Sequence, residues 1–84
     1  MTVFIVTHQH KHGLLFSAYK TKNKALNGAY QIARDRVCNA WDGSERTEFF
    51  ATNNPERALV VFHRVEKNTS YGEVIEIVEA NLIE

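Results

Sequence analysis

Eighty-four residues make one small domain, near the lower limit for a self-sufficient core, so residues 1–84 are read as a single unit. A hydrophobic share of 44% against 24% charged excludes a disordered chain, and no apolar run approaches the roughly 18 residues of a membrane span. The net charge of zero argues against a general nucleic-acid binder, and a lone cysteine, Cys38, excludes an intramolecular disulfide and fits a reducing, cytoplasmic setting.

In chain order, Val3 to about Gln9 is rich in β-branched and aromatic residues and is read as a strand rather than a signal peptide, because it has no basic start. Gly13 closes a short turn centred on His10 to Gly13, and Leu14 to Lys20 reads as a second strand pairing back as a hairpin. Thr21 or Asn23 can cap a helix, and Leu26, Ala29, Tyr30, Ala33, Val37, Ala40 and Trp41 recur at three- and four-residue steps. A helix over residues 22–41 follows, stopped by Asp42-Gly43. Gly28 costs that helix about 1 kcal/mol relative to alanine, which suggests a close approach to the sheet.

Ser44 with Glu48 can begin a short helix or turn, and Asn53-Asn54-Pro55 is a turn or a helix start. The run Ala58 to Val65 is apolar on both faces of a pleat at its centre and is read as an interior strand. Glu66 to Ser70 is a polar connection. Over residues 73–80, Val74, Ile77, Val78 and Leu82 fit a helical stripe, yet four of the five residues 74–78 are β-branched and favour a strand.

The predicted architecture is α+β, in the order β-β-α-β-β: a mostly antiparallel four-stranded sheet with one long helix packed on one face. Its expected core draws on Phe4, Val6, Leu14, Phe16, Leu26, Ala33, Val37, Val60, Phe62 and Ile77, with Trp41 at the helix end. The hairpin register stays open by one residue, which would turn Val3 and Ile5 inward instead of Phe4 and Val6.

The segment Thr7-His8-Gln9-His10-Lys11-His12-Gly13 carries the chemistry worth weighing. A strand places His8 and His10 on one face, and His12 joins them only if pairing persists to the tip. Such imidazoles can hold zinc or nickel, with His12 or His63 as a further ligand. No acid or thiol lies nearby in sequence, and Lys11 sets a positive charge beside such an ion. The competing reading is of ordinary polar residues on a hairpin tip. The metallo-β-lactamase signature Thr-His-x-His-x-Asp-His is excluded, since no aspartate precedes the last histidine.

Charge is segregated along the chain. Lys11, Lys20, Lys22, Lys24 and Arg34 precede the first acid, Asp35, whereas Glu66, Glu73, Glu76, Glu79 and Glu84 dominate the last nineteen residues. The lysines form a patch for an anionic partner or lie beside the acidic tail and neutralise it. No nucleophile elbow, phosphate loop or catalytic set is legible, and Glu73, Glu76 and Glu79 read as a solvated face.

The strand, the Thr-His-Gln-His-Lys-His-Gly turn, the second strand and the long helix resemble small uncharacterised proteins of bacteriophages and bacteria that open with Val-Thr-His-x-His-(Lys/Arg)-His-Gly. The likeness covers residues 3–41. It brings no established activity, and it implies an accessory protein acting on a host macromolecule. The expected function is therefore a small non-enzymatic interaction protein with a protein partner, a second copy first among them, and no cofactor. The alternative is a divalent-metal site on His8, His10 and His12.

Overall fold

The computed structural model describes residues 1–69 and 72–81, so Ser70, Leu82 and Glu84 lie outside the described residues. The element order is β1 (Thr2–His10), β2 (Gly13–Tyr19), α1 (Lys22–Ala40), α2 (Gly43–Ala51), α3 (Pro55–Glu66) and β3 (Val74–Asn81). The strands form one antiparallel sheet in the order β2-β1-β3, with the first strand of the chain at its centre. The expected β-β-α-β-β order and four-stranded sheet are thus overturned: three strands carry three helices.

The difference lies at Ala58–Val65, which is helical. Asn54 caps α3 by accepting a hydrogen bond from the Glu56 amide at 2.8 Å, and Pro55 starts the first turn with its φ already set. Glu56 lies in the first turn and His63 and Arg64 in the last, as the helix dipole favours. Ala58, Leu59, Phe62 and Glu66 then fall on one buried stripe, and Val60 points away, 66% exposed. These end signals and the burial of that stripe outweigh the β preference of Val60, Val61 and Val65.

The helix expected over 22–41 spans Lys22–Ala40, capped by the Thr21 hydroxyl, which accepts from the Lys24 amide. Its buried stripe of Ala25, Ala29, Ala33 and Val37 repeats every four residues, and three alanines let its backbone approach the sheet. At its end Trp41 stacks on Phe62 with ring centroids 5.7 Å apart and meets Phe49 edge-on. Phe49 is the buried residue of α2 and stacks on Tyr30. Arg64 and Glu48 add an exposed pair between α3 and α2. Hydrogen bonding to Glu48, and then its charge, raises the Arg64 guanidinium pKa further. Among the described residues no helix is long and apolar enough to cross a membrane.

Of the expected core, Val6, Ala33, Val37, Trp41 and Phe62 are buried, and Phe4, Leu26 and Ile77 pack against them. Leu14, Phe16 and Val60 are instead exposed. The hairpin loop is two residues, Lys11-His12, so His10 faces Gly13, Val6 faces Ser17 and Phe4 faces Tyr19. An even position of β1 therefore always stands beside an odd position of β2. Phe4 and Val6 turn towards the helices with Ser17 and Tyr19, and Leu14 and Phe16 turn to the opposite face.

Gly28 is where α1 meets β2. A Cβ there would lie 2.2 Å from the Tyr19 hydroxyl and 2.5 Å from its ring carbon Cζ. We expect Gly28→Ala to destabilise the fold despite a helix-propensity gain of about 1 kcal/mol. In a Tyr19→Ala background the same change should become stabilising. Urea denaturation of the four proteins checks the reversal of sign, and the same sign in both backgrounds would show that Tyr19 is not the obstacle.

Candidate functional site

The even face of β1 carries Val6, then His8 and His10, towards the helical layer. The His8 and His10 rings lie with centroids 4.9 Å apart, and His12, in the turn, is 6.0 Å from His10. The structure thus gathers all three, but one ring nitrogen of His8 and one of His10 are already engaged. His8 Nε2 lies 2.5 Å from Glu73 Oε1, and His10 Nδ1 accepts from the His12 amide at 3.2 Å. His63 stands apart on α3, where its Nε2 accepts from the Ile75 amide at 3.1 Å and ties β3 to α3. Among the described residues no group of three histidines, cysteines or acids is placed to hold a metal ion.

What His8 does instead is join a polar cluster that spans four elements. Arg36 on α1 sits between two carboxylates, its Nε 3.1 Å from Glu66 Oε1 and 3.1 Å from Glu73 Oε2. Trp41 Nε1–H donates to Glu66 Oε2 at 2.9 Å, and the Glu73 amide donates to Glu66 Oε1 at 3.3 Å. Glu66 is only 1% exposed, yet each carboxylate oxygen has a donor. The cluster fastens β1, α1, the end of α3 and the approach to β3. A cleft of about 310 Å³ beside it is lined by His10, Lys11, His12, Arg36 and Glu73.

Arg36 has no role in the sequence reading; Trp41 appears there only as core, Glu66 as the start of a polar connection and Glu73 as a solvated acid, whereas Glu66 ends α3 and is buried. Glu66 was findable: on a helix it continues the stripe Leu59, Phe62 by the next turn, and a carboxylate at a buried helix position needs a cation. The lysines do not form one patch. Lys11 is at the hairpin tip, and Lys20, Lys22 and Lys24 lie at the far end of β2, a strand length of roughly 23 Å away. Among the described residues no ion pair links Lys20, Lys22 or Lys24 to Glu76 or Glu79. Cys38 is on α1 and exposed rather than packed.

The other face of the sheet carries no helix. Val3 and Ile5 of β1, Leu14 and Phe16 of β2, and Val74 and Val78 of β3 all turn that way, as their alternation and register require. Phe16 is 66% exposed and Leu14 50%, while the charge contributed to this face by the strands is Glu76 alone. Isolated exposed apolar residues are ordinary; here four exposed ones, Leu14, Phe16, Val74 and Val78, share one face with the half-buried Val3 and Ile5, interrupted by Thr7, Gln9 and Glu76, an apolar concentration of the kind that marks association.

Comparison with protein-family models, curated proteins and solved structures finds no match for the chain.

Proposed function

We propose that this is a non-enzymatic interaction module of the cytoplasm that engages a protein partner through the open face of its sheet. The observation that carries the reading is the uncovered apolar patch on β1, β2 and β3, opposite the face on which Val6 and Ile75 are buried under the helices. A patch rich in aliphatic side chains with one aromatic, Phe16, and little charge has the chemistry of an interface centre rather than of a substrate pocket. The His8–Glu73 contact fits a fastening role, since Arg36 and Glu66 complete it and, among the described residues, no serine or cysteine is paired with it.

The test is affinity capture from host lysate by the wild-type protein and by Val78→Glu and Val60→Glu variants. Both valines are exposed, so both variants should fold. A stoichiometric protein retained by wild type and Val60→Glu but lost by Val78→Glu is expected. Retention by all three would remove the open face from the reading, and recovery of no stoichiometric protein would count against an interaction module.

A further inference from the structure

We infer that two copies of this chain join through their β2 strands, antiparallel about a two-fold axis at Phe16, into one continuous six-stranded sheet. The inference concerns the sheet's edge and stands apart from what the open face binds. β2 is an outer strand, so every second residue turns its N–H and C=O groups away from β1. Proteins that remain monomeric blunt such edges with lysine, proline, a bulge or a covering element. Gly13–Tyr19 has none of these: no charged residue, no proline, and an unbroken register from Phe4–Tyr19 to His10–Gly13. Six of its seven residues are exposed. Leu15, on the side that the helices cover elsewhere, is 58% exposed because the helical layer ends short of it.

The other outer strand is ill suited to self-pairing. β3 carries Glu76 on one face and Glu79 on the other, so pairing with a copy gathers two carboxylates of the same sign on each face of the seam. Its entry is also already tied down, by His63 on the Ile75 amide. β2 by contrast is complementary to itself. With the axis at Phe16, Leu14 stands opposite Ala18 of the other copy, Leu15 opposite Ser17, and the two Phe16 rings meet at the centre. Large therefore faces small, and an aromatic pair sits where cross-strand contacts contribute most. A second copy is the occupant that this pattern selects, since the register about Phe16 sets large against small on both sides of the axis, and closed two-fold pairing uses each edge once.

A seven-residue edge buries less than the roughly 800 Å² per partner of a standard stable interface, so the dimer should be concentration-dependent, with micromolar rather than nanomolar affinity. Sedimentation equilibrium across roughly 1 µM to 1 mM should show the mass rising from 9.6 kDa towards twice that value. Leu15→Lys, an exposed change that leaves the open face untouched, places two inward lysines beside the axis and should hold the protein monomeric with its circular dichroism unchanged. Val78→Lys, on the open face, should dimerise like wild type. Amide exchange on the wild-type protein gives a reading without substitution: protection within Leu14–Ala18 should rise with concentration. A wild-type monomer throughout, or unimpaired dimerisation of Leu15→Lys, would overturn the edge pairing. Loss of the dimer in Val78→Lys but not in Leu15→Lys would replace it with face-to-face packing.

Discussion

Glu66→Ala should destabilise the protein by about 3–5 kcal/mol, the cost typical of removing one partner from a buried ion pair. The carboxylate is 1% exposed, and its removal leaves the Trp41 indole N–H and the Glu73 amide without an acceptor and Arg36 with one carboxylate of two. An 84-residue domain has about 4–13 kcal/mol in total, so much of the population would unfold. Glu66→Gln keeps an amide oxygen for one donor and loses the charge opposite Arg36, and should fall between wild type and Glu66→Ala. Urea midpoints of the three proteins check the order. Equal midpoints for Glu66→Ala and wild type would mean that the cluster contributes nothing net to stability.

Phe62→Ala should cost about 3–5 kcal/mol, and Val60→Ala should stay within about 0.5 kcal/mol of wild type. Phe62 is fully buried, stacked on Trp41 and flanked by His63, whereas Val60 is 66% exposed. The contrast is a direct assay of secondary structure. On a strand residues 60 and 62 share a face and both would be costly to truncate; on a helix they lie about 200° apart. Thermal denaturation resolves the two outcomes, since 1 kcal/mol moves the midpoint of a domain this size by about 4–8 °C. Comparable losses for both variants would place α3 in the sheet.

That same segment shows where the sequence is legible and where it misleads. The long helix was readable because Leu26, Ala29, Tyr30, Ala33 and Val37 recur at three- and four-residue steps over many turns, although the buried stripe runs through Ala25 rather than Leu26. The tail was readable as a strand because of its β-branched density. Ala58–Val65 misleads because a fully apolar run has the same composition on a buried strand as on a helix; only its flanks differ. Asn54, Pro55 and Glu56 are start signals whose weight exceeds that of three valines. The hairpin face depended on one integer, the number of residues in the loop. With two, Leu14 and Phe16 cannot share a side with Phe4 and Val6.

The candidate site was less legible still. The histidine spacing correctly places His8 and His10 on one face, but local spacing says nothing of a carboxylate sixty-five positions away. Glu73 and Arg36 reach His8 only through the packing of α1 and β3 against β1, and no periodicity within any one of these segments encodes the meeting. One open face was expected from a helix packed on a single side of the sheet, but its residues were misassigned, because the two-residue hairpin loop turns Leu14 and Phe16 onto it rather than into the core.

The sheet's order also dictates how the molecule must be made. Of its three strands the central one is made before the other two and completed after both, since β1 acquires its second neighbour only when residues 74–81 have been synthesised. Until then the β1–β2 hairpin presents two open edges, and a lone two-stranded hairpin is marginal in water. Folding therefore waits on contacts as much as 79 positions apart, the regime in which rates are slow and nascent strands are prone to aggregate. A chain truncated after Thr69 should accordingly show little ordered structure by circular dichroism; a cooperative melt from that fragment would mean that the helices and hairpin fold without β3.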